Sequence, residues 1–284
     1  MFILKIENAK GQIFELSHNS QNYNVIGIEG LTPPATVVNT STGGLIDGAF
    51  YNSSRVEMRN IVITLVLNGD IETNRQQLYK IFSIKKPCKI YFQNERRNVK
   101  IVGYVETLDG DLFSMREQMQ ISVICPRPYF EDLDALYTEL SEILRMFEFP
   151  FSIEDNDPVP FSEILSYPLC TINNGGDVEC GCMIDIKITG TVTDLTIYDT
   201  TQQTFLGFDY SFQAGDEITI NTNSGQMGAT LTRDGQTVNL LNYIIENSTW
   251  FRLDLGDNIF TYSATAGADY VRIMFATANL YGGV

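Results

Sequence analysis

The chain is poor in the residues that most enzymes use for proton transfer and metal binding. Its 284 residues include one histidine, His18, and one tryptophan, Trp250. General acid–base catalysis most often uses histidine, and a structural zinc site needs about four cysteine or histidine ligands. A nucleophile elbow, a phosphate-binding glycine loop and an HExxH motif are also missing. We therefore predict no catalytic residues, no metal site and no cofactor, and we expect a protein that is not an enzyme.

The cysteines do not form the pattern of a disulfide framework. There are five, Cys88, Cys125, Cys170, Cys180 and Cys182, and an odd number without a signal peptide argues against paired cysteines. Cys180 and Cys182 have a CxC spacing, not the CxxC spacing of many zinc sites. On a strand they would point to the same face, so we predict that both are small core residues.

Long apolar segments are also missing. No apolar run approaches the ~20 residues that a membrane-spanning helix needs. The N-terminal segment, residues 1–6, has neither the basic leader nor the apolar length of a signal peptide. We expect no membrane insertion, and we expect synthesis in the cytoplasm.

Basic residues are scarce in the second half of the chain. The whole chain has 19 Lys and Arg against 35 Asp and Glu, a net charge of −16. Residues 1–130 hold 14 basic and 12 acidic residues, whereas residues 131–284 hold 5 and 23. This step in charge predicts a domain boundary near residue 130. An acidic module also argues against specific nucleic-acid binding, because phosphate contacts need Lys and Arg.

The clearest pattern of strands and helix lies in residues 59–125. Alternating apolar residues predict a buried strand over residues 59–68. An Asn-Gly-Asp break follows, and Asp70 is placed to cap a helix over residues 71–82; Thr73 with Gln76 is an alternative capping pair for a helix that starts later. Further strands are predicted at residues 88–92, 99–105 and 118–125. Residues 1–31 also carry the patterns of short strands, so we predict a β-barrel or β-sandwich-like N-terminal domain with one helix.

A basic cluster surrounds the end of that helix and the next hairpin loop. Its members are Lys80, Lys85, Lys86, Lys89, Arg96, Arg97 and Lys100. Two interpretations are open: a solvated helix end and hairpin tip, or a charged contact with a neighbouring subunit. Lys85, Lys86, Arg96 and Arg97 are the candidate contact residues.

The segment after residue 130 contains two different sequence patterns, that of a helix and that of a linker. Apolar residues at spacings of three and four predict an amphipathic helix over residues 131–147. A linker follows, so that residues 131–165 separate the two domains. Its Glu154, Asp155 and Asp157 are flanked by prolines, and such a linker does not hold two carboxylates about 5–9 Å apart across a substrate.

Residues 166–284 carry the pattern of a second, all-β domain. Many short strands with intervening Asp-Gly and Gly-Asp turns predict a β-sandwich of the jelly-roll kind. Trp250 opens an alternating stretch, and two interpretations of it are open. It is either a core or half-buried side chain, or a contact for a saccharide.

Several stretches, taken in order, resemble the siphophage distal tail protein family. In the first half they are Arg59, Asn74-Arg75, Phe82, Tyr91-Phe92, Val105-Glu106 and Cys125-Pro126-Arg127-Pro128-Tyr129-Phe130. In the second half they are Asn174-Gly175-Gly176-Asp177-Val178-Glu179, Ser248-Thr249-Trp250-Phe251, Leu255-Gly256-Asp257-Asn258, Phe260, Tyr262 and Tyr281-Gly282-Gly283-Val284. The resemblance implies a C-terminal sandwich similar to galectins and carbohydrate-binding modules.

The resemblance also implies a function. Members of this family form a ring, commonly a hexamer, at the tip of a long non-contractile tail. The ring joins the tail tube protein to the tail-tip protein and often carries receptor-binding proteins. We therefore expect a homo-oligomeric structural protein of the virion, synthesised in the host cytoplasm. The alternative is a lectin-like adhesion module that binds host cell-wall saccharide.

Residues 36–54 have a composition that suits such a ring. They are rich in Thr, Ser, Asn and Gly and predict a long loop or mobile arm. A loop of this length inside a compact domain usually has a function or a partner. Two interpretations are open. One is a contact between ring subunits, with Thr40 and Asn52 as candidate contact residues, and the other is plain surface mobility.

Overall fold

A computed structural model of the chain describes residues 2–16, 22–44, 47–111, 116–140, 143–145, 162–164 and 169–284. Its elements are, in chain order, β1 (Ile3–Glu7), β2 (Ile13–Leu16), β3 (Tyr23–Glu29), β4 (Thr36–Ser41), β5 (Phe50–Val56), β6 (Arg59–Leu67), α1 (Ile71–Ile81), β7 (Pro87–Gln93), β8 (Asn98–Gly110), β9 (Gln118–Cys125), β10 (Phe130–Asp132), β11 (Leu136–Glu139), β12 (Ile143–Arg145), β13 (Ser162–Ile164), β14 (Cys170–Asn174), β15 (Cys182–Ile188), β16 (Val192–Thr193), β17 (Thr196–Asp199), β18 (Thr204–Gly207), β19 (Ser211–Phe212), β20 (Glu217–Asn221), β21 (Gly228–Arg233), β22 (Gln236–Asn239), β23 (Gly256–Ser263), β24 (Val271–Thr277) and β25 (Leu280–Tyr281). Leu241–Tyr243 and Ala268–Tyr270 form short 3-10 helices.

The chain divides into two compact units. Unit 1 contains residues 1–133 together with residues 280–284, and unit 2 contains residues 134–279. The predicted second domain, residues 166–284, differs from unit 2 at its end, because the last five residues belong to unit 1. By sequence, unit 1 has 14 basic and 14 acidic residues, and unit 2 has 5 and 21. The whole net charge of −16 therefore lies in unit 2.

Unit 1 is built on one antiparallel sheet. The strand order is β2-β1-β7-β8-β9-β6-β3, and β10 joins it through β8. One face of this sheet is buried: along β6, for example, Ile61, Ile63 and Leu65 are fully buried and alternate with half-buried residues. Helix α1 packs on that face through Leu78 and Ile81. The prediction of a buried strand over residues 59–68 followed by a helix is confirmed.

Local hydrogen bonds set the start of α1. The carboxylate of Asp70 accepts hydrogen bonds from the backbone N–H of Thr73 (3.3 Å) and from its hydroxyl group (2.7 Å). These bonds lower the pKa of Asp70, with the hydroxyl contributing most. The predicted N-cap is therefore confirmed, and it satisfies a backbone donor that has no partner within the helix.

A buried arginine connects distant segments of unit 1. Arg59 is 2% exposed, and its guanidinium group lies 4.4 Å from the centroid of the Phe130 ring. Its N–H groups donate to four backbone carbonyls, which belong to three segments of the chain. The acceptors are Gly30, Thr32 (2.7 Å), Pro128 (2.6 Å) and Gly282. We call this group of contacts the Arg59 junction.

The last five residues belong to unit 1, and the first two of them form strand β25. β25 pairs with β10, so that Phe130 lies opposite Tyr281. The hydroxyl group of Tyr281 donates to Asp132 (3.1 Å), and the N–H of Val284 donates to the carbonyl of Leu31 (3.2 Å). The carboxyl end of the chain is therefore held in the sheet of unit 1 by backbone and side-chain contacts.

Unit 2 is a sandwich of two antiparallel sheets. One sheet has the order β11-β24-β15-β20-β21-β22 and the other β14-β23-β17-β18. Their inner faces meet where Phe260 of β23 lies 4.8 Å from Phe275 of β24, measured between ring centroids. Strands β16 and β19 form a separate pair, as do β12 and β13. The predicted fold class, mainly β with one helix in the first unit and a sandwich in the second, is confirmed.

The predicted helix over residues 131–147 is wrong in the part that the structure describes. Strands β10, β11 and β12 occupy this region, and β11 pairs with β24 at the edge of the larger sheet. Leu136 and Tyr137 are exposed and Leu140 is buried. The apolar residues at helical spacing are therefore not buried together along one side of a helix. Pairing with β24, which is distant in the chain, makes this segment a strand. Residues 146–161, which include the predicted acidic linker, lie outside the described residues.

The predicted long loop over residues 36–54 is also wrong. Its described residues include β4 and most of β5, an antiparallel pair whose register shifts between Asn39 and Thr40. Thr, Ser and Asn are common in loops, but β-branched residues such as Val37 and Val38 are also compatible with strands. Composition alone misidentified a hairpin as a loop.

Replacement of Arg59 tests the junction. We expect Arg59→Ala to lower the free energy of unfolding of unit 1 by about 3 kcal/mol or more, because each buried carbonyl left without a donor costs about 1–3 kcal/mol. The stability of Arg59→Lys should lie between those of the unchanged protein and Arg59→Ala, since an ammonium group donates hydrogen bonds but lacks the planar fork of donors. Hydrogen exchange of peptides from β6, β10 and β25 measures the effect. Arg55→Ala, an exposed arginine of β5, is the matched control; exchange equal to that of the control would contradict the role of the junction.

Candidate interaction surfaces

The hairpin of β4 and β5, residues 36–56, has no core of its own; we call it the arm. The two strands pair only with each other in the sheet arrangement. All residues of the two strands are exposed except Val37 and Val56, which are half-buried. An isolated two-stranded hairpin is marginally stable in water. An arm with so little burial is therefore a candidate for a contact with a partner.

The two faces of the arm differ in chemistry. On one face Tyr51 lies directly opposite Thr40, with Val38 two residues along β4, and the Tyr51 hydroxyl is 2.9 Å from that of Ser54. Val38 and Tyr51 are 55% and 65% exposed. We call this uncharged surface the apolar face of the arm.

The opposite face, which we call the polar face of the arm, carries two cross-strand hydrogen bonds and also the exposed ring of Phe50, which lies opposite Ser41. Asn39 donates to the hydroxyl of Ser53 (3.0 Å), and the hydroxyl of Ser41 donates to the side-chain oxygen of Asn52 (3.2 Å). The two predicted contact residues of this segment therefore differ in position: Thr40 lies on the apolar face, and Asn52 takes part in a cross-strand hydrogen bond on the polar face. Both stay candidates for a subunit contact.

Lys85 and Lys86 lie in an exposed turn after α1. The N–H of Lys86 donates to the carbonyl of Ser83 (3.4 Å), and Lys85 adopts a φ of 63°. A non-glycine residue in this left-handed region costs about 1–3 kcal/mol and is concentrated at functional sites. The turn presents Ile84, which is 76% exposed, between Ser83 and the two lysines. Its apolar tip and positive charge are suited to contact with an acidic surface.

Arg96 and Arg97 occupy the loop between β7 and β8 but differ in their contacts. The backbone N–H groups of both donate to the side chain of Asn94, at 2.9 and 2.8 Å. The Arg97 guanidinium donates to the carbonyl of Gly283 and lies 4.3 Å from the centroid of the Tyr281 ring. Arg97 therefore secures the C-terminal segment of its own unit, whereas Arg96 is exposed.

Trp250 is half-buried and lies outside the strands of unit 2. Its neighbours Phe251 and Leu253 are fully buried. In the alternating stretch that Trp250 opens, Leu253 forms a single β-bridge, with Cys180. The half-buried position agrees with one of the two interpretations of Trp250, and its role as a saccharide contact stays a prediction.

The cysteines are buried and free. All five are in the described part of the chain and none is paired in a disulfide. Burial raises the pKa of Cys88 to about 11 and that of Cys182 to about 12. These thiols behave as small core residues, as predicted for Cys180 and Cys182. Within the described residues, no group of three or more His, Cys, Asp or Glu side chains is arranged to hold a metal ion.

Asp199 is a buried carboxyl group at the end of β17. Its Oδ1 atom accepts hydrogen bonds from the N–H groups of Thr201 (2.9 Å) and Gln202 (3.1 Å). Its Oδ2 atom has no hydrogen-bond partner among the described residues. Burial raises the pKa of Asp199, and the charge of Asp254 adds to this effect. The hydrogen bonds show that Asp199 fixes the turn between β17 and β18.

No helix in the described ranges is long and apolar enough to cross a membrane.

Two family models match the chain in sequential order. A model of the phage tail protein RIFT-related domain matches residues 11–125. A model of the C-terminal domain of siphovirus-type tail components matches residues 175–278. No curated protein sequence matches the chain.

The fold is similar to that of solved phage proteins over nearly its whole length. The distal tail protein of phage SPP1, a hub protein of the adsorption apparatus of phages that infect Gram-positive bacteria, is 14% identical with a TM-score of 0.67; the match covers 98% of this chain and 99% of that protein. Chains of the phage p2 baseplate in its activated conformation with Ca and with Sr are 12% and 13% identical, with TM-scores of 0.52 and 0.51. These matches cover 97% and 98% of this chain, and 98% of each of those chains. At such low identity the likeness shows a shared fold.

Asp199→Asn tests the cost of the buried carboxylate. A raised pKa means that the folded state binds the proton more tightly than the unfolded state, so the ionised form destabilises the fold above the folded pKa. Asparagine keeps the Oδ1 acceptor without the charge. We expect Asp199→Asn to have a higher unfolding midpoint than the unchanged protein at pH 7. The difference between the two midpoints should disappear as the pH falls below the ordinary pKa of an aspartate. Asp209→Asn, at an exposed position, should change little; a lower midpoint for Asp199→Asn at pH 7 would refute this account.

Proposed function

Because the chain belongs to the siphophage distal tail protein family, we propose that it forms a closed ring, a hexamer, at the tip of a long non-contractile phage tail. As a member of this family it is a structural component of the phage tail and is located in the virion. The ring would join the tail tube protein on one side to the tail-tip protein on the other. Its role would be structural, without an enzymatic activity.

The arm is the observation that carries the proposal for a ring. It projects two strands whose residues are almost all exposed, including Val38, Phe50 and Tyr51. Exposed aromatic and aliphatic side chains on an element without a core mark a protein interface. In a closed ring each subunit uses one surface toward one neighbour and a different surface toward the other. The arm would provide one of these surfaces.

The distribution of charge favours unit 1 as the ring-forming part. Unit 1 has equal numbers of basic and acidic residues, whereas unit 2 carries the net charge of −16. Six copies of unit 2 in direct contact would repel one another, and six copies of unit 1 would not. Unit 2 would therefore supply the surfaces that meet other tail proteins, which include receptor-binding proteins in this proposal.

The basic turn at Lys85 and Lys86, together with Arg96, would add charged contacts to the ring. Unit 2 of the neighbouring copies, with its net negative charge, would be an acidic partner at high effective concentration. Surface ion pairs contribute only about 0–1 kcal/mol each. The basic turn would therefore adjust the strength of the ring, and the arm would provide most of the contact.

The mass of the purified chain in solution tests the ring. A hexamer of the 31.9 kDa chain has a mass of six times that value, about 191 kDa. We expect light scattering to give this mass, or twice this mass for two stacked rings, over a range of concentrations. A mass of 31.9 kDa at every concentration, with no assembly when tail tubes are added, would overturn the proposal.

Reversal of charge in the basic turn tests its smaller contribution. We expect Lys85→Glu with Lys86→Glu to raise the protein concentration needed for ring formation about tenfold, because attraction becomes repulsion at both positions. The difference should largely disappear in about 1 M salt, where the screening length falls to about 3 Å. Lys10→Glu, in an exposed turn of unit 1, is the control. If the double variant and the control assemble equally at low salt, the basic turn is not part of the interface.

A further inference from the structure

A groove crosses the outer face of the unit 1 sheet. It has a volume of about 200 Å³ and is lined by Ile3, Lys5, Ile13, Tyr91, Gln93, Asn98 and Leu133. These residues come from β1, β2, β7, β8 and the segment after β10, on the side of the sheet away from the core. Ile13, at one end, is 62% exposed. The groove is thus an apolar surface with amide and ammonium groups at its rim.

The walls of the groove are fixed by contacts of their own. The Tyr91 hydroxyl donates to the carboxylate of Glu7, which in turn accepts from Lys89 (3.0 Å). Burial and the bond to Glu7 raise the pKa of Tyr91 to about 12. The N–H of Leu133 donates to the carbonyl of Asn98 (3.1 Å). A groove that is already formed binds a partner with less loss of conformational entropy.

The size of the groove suits one aromatic side chain. An apolar cavity of about 150 Å³ holds a benzene molecule, so about 200 Å³ accommodates a phenol ring. The apolar face of the arm presents such a ring, that of Tyr51, beside Val38. The rim of the groove provides the ammonium group of Lys5 and the amide of Gln93 as partners for a phenol oxygen. Tyrosine with a buried ring and a hydrogen-bonded hydroxyl is a frequent anchor of protein interfaces.

We infer that the apolar face of the arm of one copy docks in this groove of the next copy, with Tyr51 as the anchor. The inference rests on the proposed ring. Both surfaces lie on unit 1, which has no net charge, so two copies approach without repulsion. The arm and the groove are different surfaces of the same chain, which is the requirement for a head-to-tail contact that closes into a ring. A second copy is therefore the occupant that the chain itself supplies.

Two point variants, mixed, test this pairing in the full-length chain. Tyr51→Asp disables the arm and leaves the groove, and Ile13→Asp disables the groove and leaves the arm. Both positions are more than half exposed, so the fold should survive; circular dichroism checks this. We expect each variant alone to be a 31.9 kDa monomer and an equimolar mixture to give a dimer of twice that mass, because one intact arm meets one intact groove.

Matched controls sit on the same elements. Ser53→Asp changes the polar face of the arm, and Val102→Asp changes an exposed position of β8 that does not line the groove. Both should form the ring of the unchanged chain. A covalent test is available because the native cysteines are buried: Ile13→Cys with Tyr51→Cys in one chain should give, on mild oxidation, a ladder of disulfide-linked species that ends at six copies. Either cysteine alone should give none.

The outcomes separate the two proposals. If the unchanged chain forms a ring and Tyr51→Asp or Ile13→Asp also does, the docking of arm in groove is wrong and the ring stands. A mixture that stays monomeric while the cysteine pair gives no ladder shows that the two surfaces are needed but do not meet, which also overturns the inference. A chain that is monomeric under all conditions overturns the ring, and the docking with it.

Discussion

The guanidinium group of Arg59 is the contact on which unit 1 depends. Burial of a charged group is costly, and here the cost is offset because its planar fork of donors reaches four carbonyls at once. Those carbonyls belong to segments more than 200 residues apart in the chain. The Arg59 junction is therefore complete only when residue 282 is in place. In topological terms unit 2 is an insertion into unit 1, and the two ends of the chain are held in the same sheet.

The sequence predicts the local features of this fold well. Alternation in residues 59–68, the N-cap at Asp70 and the strands up to residue 125 depend on neighbours in the chain, and the structure has them. The errors occur where distant partners decide the conformation. β11 is a strand because it pairs with β24, and its sequence alone has helical spacing. The Arg59 junction was missed for the same reason, although Pro128 and the Gly282-Gly283 pair were noted as features of the sequence.

The candidate surfaces also divide into features that the sequence predicts and features that depend on distant segments of the chain. Exposure of Lys85, Lys86 and Arg96 follows from their charge and could be predicted. The intramolecular role of Arg97 could not, because it depends on the return of Tyr281 and Gly283 to unit 1. Composition left a subunit contact and plain surface mobility both open for residues 36–54, and it did not reveal the hairpin of β4 and β5. The groove has no sequence signal, since its lining comes from five separate segments that only the sheet brings together.

The two faces of the arm differ in what a contact with another protein surface would gain. Cross-strand hydrogen bonds between Asn39 and Ser53, and between Ser41 and Asn52, fix the register before any partner binds. Docking then immobilises few additional backbone angles, so most of the apolar contact contributes to affinity. On the polar face the amides and hydroxyl groups of these residues are already paired, so they gain little from burial, and Phe50 is the exposed apolar residue beside them. The face with Val38 and Tyr51 presents exposed apolar surface for a contact. Pairing of this face with a different surface of the next copy gives a head-to-tail arrangement, which forms a ring when the rotation between copies closes.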